Sequence, residues 1–302
     1  MHDEIQTAHF FWHGPELSCY EHACIASFLI AGFHVKVWSY QPVRTPQGAQ
    51  ACDAAAILPA TDLTRYTQAG HQGNIAAFTD FFRYELLRQQ RGWWFDTDVV
   101  CLKPQADFRR FAQPIVAGYE STNAINGAVL RLNDPSLAAD LKQRADSVAA
   151  AGGNSFAWGA VGPALVKQLV SERGLTAHVV APEVFYPLHW RDGLLALDPE
   201  RAAEVRERCR PAHTYHFWNE VVRRFAIPKN MLPPEGSFLH EAFVAAVPAL
   251  AGMPALPVDT FRALVAHANS PEIPDPGFMH HLGQLVPSLR RAVHKRLPGA
   301  AA

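Results

Sequence analysis

Apolar positions along the first hundred residues change period repeatedly, and two periods alternate. His9–Trp12 (HFFW) is a short apolar run stopped by His13-Gly14-Pro15, the pattern of a strand and a turn. From Glu16 to Ala31 apolar residues fall at 17, 20, 24, 25 and 28, the spacing of one helix face, and Gly32 stands where helices take a C-terminal glycine. His34–Tyr40 (HVKVWSY) then alternates apolar and polar, as a strand does. Strand, helix and strand in so short a span predict a parallel βαβ unit.

The alternation continues. Asn74–Gln90 has apolar residues at 75, 78, 81, 82 and 86 and is predicted helical. Trp93–Phe95 is a predicted strand ending at Asp96, and Val99–Leu102 resumes extended structure before Pro104. Ile115–Tyr119 and Gly127–Leu132 are further predicted strands, and Ser136–Ala151 and Gly159–Glu172 further helices. After Pro228 prolines crowd and the β–α order fades. The expected organisation is an α/β domain over 1–235 with a helical or irregular extension over 236–302.

Composition narrows the function classes. The chain has 302 residues, 49% hydrophobic and 18% charged, an ordinary globular balance. A formal net charge of −1 provides no global field for nucleic acid, so none is expected as a partner. The odd count of five cysteines shows neither zinc-knuckle spacing nor a disulfide framework, which implies a reducing, cytoplasmic setting. MHDEIQTAHFFWHG lacks the layout of a signal peptide, and the uncharged apolar run Ala242–Val258 is short for a span and carries three prolines. The 15 histidines form no zinc pattern, and His280 and His281 are adjacent, so they face different ways. Leu285–Leu297 (LVPSLRRAVHKRL) is basic and mildly amphipathic: either a solvated terminal helix or a peripheral contact with an anionic membrane.

The chemistry concentrates at Phe95-Asp96-Thr97-Asp98-Val99. If this stretch is extended, Asp96 and Asp98 point to one side. Two close carboxylates repel, which implies a bound cation or a shared proton. Few hard oxygen ligands, with room for waters and phosphates, suit Mg²⁺ or Mn²⁺. The C-terminal end of a strand is where open α/β sheets place ligands. Asp-x-Asp alone is common in solvated turns, but here Trp93-Trp94-Phe95 and Val99-Val100 enclose it in apolar sequence. Asp80, Arg83 and Tyr84 share a helix face, either around a ligand or with Asp80 and Arg83 as an ordinary helix ion pair.

The run Phe81-Phe82-Arg83-Tyr84 … Gly92-Trp93-Trp94-Phe95-Asp96-Thr97-Asp98 resembles the DXD sugar-binding region of GT-A glycosyltransferases. Within these it is most similar to the family-32-like group of capsular-polysaccharide and α-1,4-glycosyltransferases. The resemblance extends over roughly residues 8–225: Phe10–Gly14 looks like the first strand and its turn, Asn126-Gly127-Ala128 follows the metal motif, Trp158-Gly159 to Gly162-Pro163 looks like a Gly-Pro helix entry, and Tyr215–Asn219 looks like a C-terminal His-x-Trp segment. Arg91 stands where relatives often have a first glycine, which leaves Gly92 to end the helix. Gly127 stands where many have a second Asn.

The resemblance implies a Rossmann-like fold with a mostly parallel central sheet flanked by helices. It implies a metal-dependent hexosyltransferase, retaining anomeric configuration and working in bacterial polysaccharide biosynthesis at the cytoplasmic side of the envelope. The implied partners are a UDP- or GDP-sugar and a saccharide or lipid-linked acceptor, with Mn²⁺ or Mg²⁺ held by Asp98, Asp96 and His216. Asp96, Asp98 and Arg83 take the catalytic roles, and Trp12, Asp80, Arg83, Tyr84, Asp96, Asn126, Gly127 and Trp218 bind the donor. Trp12 and His216 are equally readable as core residues. Two alternatives are a nucleotide-sugar-binding protein without turnover and an aspartyl phosphatase using Asp96 and Asp98. The phosphatase pattern places its motif on the first strand and adds a later acidic pair, which this chain lacks.

Overall fold

The computed structural model describes residues 6–68 and 71–268. The chain begins with β1 (Thr7–Phe11), α1 (Cys19–Ile30), β2 (His34–Ser39) and β3 (Gln50–Asp53), then two short strands, β4 (Thr67–Gln68) and β5 (His71–Gln72). Next come α2 (Ile75–Gln89), β6 (Trp93–Phe95), β7 (Val99–Cys101), β8 (Ile115–Ser121) and β9 (Ala124–Leu132). α3 (Pro135–Ala151), β10 (Ser155–Phe156), α4 (Pro163–Glu172), α5 (Pro182–Phe185) and α6 (Ala202–Cys209) follow. β11 (Thr214–His216), α7 (Asn219–Arg224), α8 (Phe238–Ala246) and α9 (Val258–Ala268) complete the described chain.

A six-stranded sheet in the order β3-β2-β1-β6-β9-β8 forms the centre. β3, β2, β1 and β6 are mutually parallel; β9 runs antiparallel to β6 and to β8. The predicted βαβ unit is β1-α1-β2, and the Rossmann-like α/β architecture holds. α1 begins at Cys19, later than expected, because Ser18 caps it: its side chain accepts from Tyr20 N–H while Glu21 reaches back to the Ser18 N–H. Asn74 caps α2 by accepting from Ala77 N–H.

Side chains alternate across the strands and fill two separate layers. Ala8, Phe10, Trp93 and Phe95 pack with Ile25 and Phe28 of α1 on one face. Phe11 and Trp94 pack with Phe78, Phe81 and Phe82 of α2 and with Leu137 and Leu141 of α3 on the other. A third apolar cluster joins Tyr20, Ala23 and Cys24 of α1 to Leu188, Tyr215 and Phe217 and to Phe238, Leu239 and Phe243 of α8, with Tyr20 and Phe243 edge to face at 5.0 Å. The basic Leu285–Leu297 segment and His280-His281 lie outside the described residues. No helix among the described residues is long and apolar enough to cross a membrane.

The structure departs from the sequence expectations at two points around the acidic motif. Asp96-Thr97-Asp98 is a turn, not extended chain: Val99 N–H donates to the Asp96 carbonyl at 3.1 Å, and β7 leaves the main sheet to pair with β11. α2 is capped by Gln90 in an extended conformation, so Gly92 does not end the helix. Gly92 has φ +141°, and a Cβ there would lie 2.6 Å from the Thr7 carbonyl oxygen and 2.9 Å from His9 Nε2. The glycine therefore lets β6 approach β1, whose pairing sets Ala8 beside Trp93 and His9 beside Trp94.

His9 helps lock this junction. Trp38 Nε1 donates to His9 Nδ1 at 3.1 Å, and His9 Nε2 lies 3.1 Å from the Arg91 carbonyl, which fits a neutral ring with the proton on Nε2. Burial depresses the imidazole to about 4. The unfolded chain then takes up its His9 proton near pH 6.5, before the folded chain does. Stability should fall as pH drops from 6.5 towards 4, by at most about 1.4 kcal/mol per pH unit from this group. Urea titrations between pH 7.5 and pH 4 of the wild type and of His9→Phe test this. The variant should lose about 1–3 kcal/mol at pH 7, with two buried groups unpaired, and should show a shallower acid slope. Identical slopes would remove His9 from the account.

Candidate active site

β1 pairs with β2 on one side and with β6 on the other, so the strand order reverses at β1, the place where open α/β sheets leave a ligand crevice. A cavity of about 330 Å³ opens there, beyond the C-terminal ends of β1 and β6. Seven of the ten residues expected at a site line it: Trp12, Asp80, Arg83, Asp96, Asp98, Asn126 and Gly127.

Arg83 organises one wall. Nη1 donates to Asp80 Oδ1 and Nη2 to Asp96 Oδ1, each at 2.9 Å, and the guanidinium carbon lies 5.0 Å from the Trp94 ring centroid. Trp94 Nε1 donates to the same Asp96 oxygen at 2.6 Å. Asp80 and Arg83 thus form the helix ion pair, and Asp96 joins it from β6. Burial raises the Asp80 carboxyl to about 6; Arg83 opposes that rise and Asp96 reinforces it. Two glycines make the space: a Cβ on Gly127 would stand 2.3 Å from Arg83 Nη1, and one on Gly162 would stand 2.5 Å from Asp80 Oδ2.

Asp98 faces another way. β7 and β11 pair antiparallel, with Val99 opposite His216, and this sets His216 Nε2 3.0 Å from Asp98 Oδ2. Asn219 N–H donates to the same oxygen at 2.8 Å. That geometry depends on Trp218, which holds φ +60°, ψ +76°, a left-handed backbone that is strained for an aromatic residue. Its ring lies 4.1 Å from the His216 ring, and its Nε1 donates to the Leu188 carbonyl at 3.2 Å. Burial disfavours charge on Asp98, but His216 and the Asn219 N–H outweigh it and hold the carboxyl below the ordinary range; Asp98 in turn raises His216 against its own burial. Asn219 is fixed from behind, since Lys229 Nζ donates to its side-chain oxygen at 3.0 Å and pairs with the buried Glu21.

Three expected residues do not line the cavity. Tyr84 is fully buried, and its hydroxyl donates to the Val161 carbonyl at 2.9 Å: a buried phenol needs an acceptor, and this one ties α2 to the approach to α4. His216 and Trp218 stand behind Asp98. Asp96 is bonded by Arg83 and Trp94, whereas Asp98 is bonded by His216 and the Asn219 N–H. Among the described residues no three acidic, His or Cys side chains are grouped to hold a metal. The bonds from Arg83 and Trp94 fall on Asp96 Oδ1 and those from His216 and Asn219 on Asp98 Oδ2, while the Asp98 backbone N–H also supports its own carboxylate. This donor set fits a hard dication that takes most of its shell from phosphates and water, and does not fit a protein-only metal centre.

Asn126 is pinned within the wall: its Nδ2 donates to Glu120 at 2.6 Å and its Oδ1 accepts from Ala128 N–H at 2.7 Å. Trp12 Nε1 is buried without a partner among the described residues. Sequence reasoning missed Gly162, Asn219 and Lys229. Gly162-Pro163 signals a helix entry, but nothing local says that residue 162 meets residue 80.

The sequence matches no family model and no curated protein. Among solved structures, the chain is similar to PaToxG glycosyltransferase (13% identity, TM-score 0.41, over 68% of this chain and 78% of that one). It is also similar to mouse xyloside xylosyltransferase 1 (11%, 0.37, over 70% and 97%) and to the bifunctional glycosyltransferase WbbM (10%, 0.41, over 83% and 50%). Likenesses this weak decide neither the chemistry nor the residues of the site.

Gly127→Ala tests the seat of Arg83. Its methyl group must displace a buried guanidinium, and the expected loss is about 1–3 kcal/mol of stability. Gly252→Ala, where an added Cβ meets nothing within 4 Å, should stay within about 0.5 kcal/mol of wild type. Equal urea midpoints for the two variants would mean that Arg83 is not held against Gly127.

Proposed function

We propose that this chain is a metal-dependent glycosyltransferase of the GT-A type, moving a hexose from a nucleoside diphosphate to a saccharide or lipid-linked acceptor. The carrying observation is the pairing of two differently held carboxylates, Asp96 on Arg83 and Asp98 on His216 and Asn219, in one cavity at the reversal of strand order.

Loss of the diphosphate leaves negative charge on its β-phosphate. Mn²⁺ or Mg²⁺, held by Asp98 and by the second oxygen of Asp96, would supply Lewis-acid stabilisation of that charge. The protein's own part is placement. Arg83 fixes Asp96 and Asp80, whose carboxylate oxygens are acceptors suited to sugar hydroxyls. Asn219 and His216 keep Asp98 ionised, as a ligand of a hard cation requires. Asn126 and Gly127 shape the opposite wall, and Trp12 offers an aromatic face for the base. Arg83 bonds Asp80 and Asp96 through one N–H of each Nη group, and these two bonds position both carboxylates.

Retention of configuration, a UDP- or GDP-linked donor and a place in envelope polysaccharide assembly at the cytoplasmic side are supported by the resemblance around Arg83–Asp98. A phosphatase is disfavoured, since the proposed nucleophile Asp96 has one oxygen bonded to both Arg83 and Trp94.

Thermal melting with Mn²⁺ plus UDP, GDP or CDP provides the test. Ligand at 100 times its Kd adds about 2.7 kcal/mol, or roughly 5–10 °C for a chain of this size. Asp98→Asn should lose the metal-dependent part of the shift. Failure of every nucleotide to shift the wild type, or an equal shift in Asp98→Asn, would sink the proposal. Release or transfer of sugar from the donor that binds separates an enzyme from a binding protein.

A further inference from the structure

Trp158 has no part in holding Arg83, Asp96 or Asp98, yet it lines the same cavity. It is 74% exposed, the most exposed large apolar side chain among the described residues. Its indole makes no ring contact, hydrogen bond or ion pair with a described residue. The backbone that carries it is nonetheless fixed at both ends. Ser155 and Phe156 pair with Thr67 and Gln68, and the buried Val161 accepts from Tyr84. Between them, Ala160 N–H donates to the Ala157 carbonyl and Gly162 N–H to the Gly159 carbonyl, each at 3.2 Å. Gly162, four residues further on, closes on Asp80, and Trp158 and Trp12 both line the cavity.

A bare indole on a held backbone, in a cavity lined by carboxylate acceptors, suits one ligand chemistry. The axial C–H bonds of a pyranose ring form an apolar, faintly positive face that packs on an aromatic π cloud, while its hydroxyls take the hydrogen bonds. A protein partner would need a much wider apolar surface. The other exposed large apolar side chains among the described residues, Ile30 and Trp190, sit on different elements, and Trp158 is flanked by Ala157 and Gly159.

We infer that Trp158 is the stacking platform for the acceptor saccharide, in the cavity that Asp80 and Arg83 also line. This assignment of the acceptor subsite rests on the glycosyl-transfer reading of the cavity, in which Trp12 serves the donor nucleotide.

The experiment compares full-length wild type, Trp158→Phe and Trp158→Ala. Acrylamide quenching of tryptophan fluorescence is read with the methyl pyranosides of glucose, galactose and mannose and with lactose, at tens of millimolar. Mannitol, with the same hydroxyls and no ring, is the control. At least one pyranoside should lower quenching of the wild type towards that of Trp158→Phe, and mannitol should not. In transfer to that sugar, Trp158→Ala should raise the acceptor KM about tenfold, the size of an aromatic stacking contact, and Trp158→Phe should recover most of it. The melting shift with Mn²⁺ and nucleotide should persist in both variants. If no pyranoside shields Trp158 while nucleotide still stabilises the protein, the platform is wrong and the proposed activity stands. If sugars shield Trp158 but no nucleotide binds, the platform stands and the transferase reading fails. If nucleotide shields Trp158 and sugars do not, the indole serves the donor and the inference is overturned.

Discussion

A desolvated guanidinium is tolerable only where its charge is matched, and Arg83, whose two Nη groups are bonded while its Nε–H has no partner among the described residues, sets that condition for its whole surroundings. Asp80, one turn earlier on α2, and Asp96, at the end of β6, meet it from two sides at 2.9 Å. Trp94 lies beneath the guanidinium, Gly127 of β9 gives it room, and Gly162 gives room to Asp80. Two helices and two strands from separate stretches of chain are thereby held in one relative placement. Such a charged group adds little net stability, since burial removes most of what pairing supplies. It does allow few alternative geometries, which is what a site of positioned carboxylates requires.

Asp98 belongs to a different part of the molecule, although only Thr97 separates it from Asp96. Its partners, His216 and Asn219, arrive on β11 and at the start of α7, and the neighbouring Tyr215 and Phe217 are rooted in the cluster that joins α1 to α8. Asn219 leads through Lys229 to Glu21, the residue that also completes the cap of α1. The Asp-Thr-Asp turn is therefore a joint between two apolar cores, and each aspartate is oriented by one of them. Both aspartates line the cavity, and the strained backbone of Trp218 lies outside its lining, next to the Asn219 N–H that bonds Asp98.

Much of this was legible in the sequence because the physics is local. Apolar spacing placed α1, α2, α3 and the first strands to within a few residues, and the shift of α1 to Cys19 follows from the cap at Ser18. Seven candidate site residues converge on one cavity because strand ends and a single helix face bring them there. The errors came where a long-range partner decided the outcome. Asp96 and Asp98 were expected to present as a matched pair, but the β7–β11 ladder bends the chain between them. Tyr84, at helical spacing from Asp80, goes to the core because Val161 offers its hydroxyl an acceptor. Gly92 serves strand approach rather than helix termination because Thr7 and His9 lie against it.

The sequence by itself determined the alternation of strands and helices, the pair of aspartates after an aromatic strand, and the Arg–Asp spacing on α2, since each depends on residues a few positions apart. Tertiary structure alone decided which oxygen of each aspartate is occupied, that Gly127 and Gly162 must be glycine, and that Asn219 steadies Asp98. Those outcomes depend on contacts between residues from 13 (Arg83 and Asp96) to 121 (Asp98 and Asn219) positions apart in the chain, whose distances are fixed only once three apolar clusters have closed around the sheet.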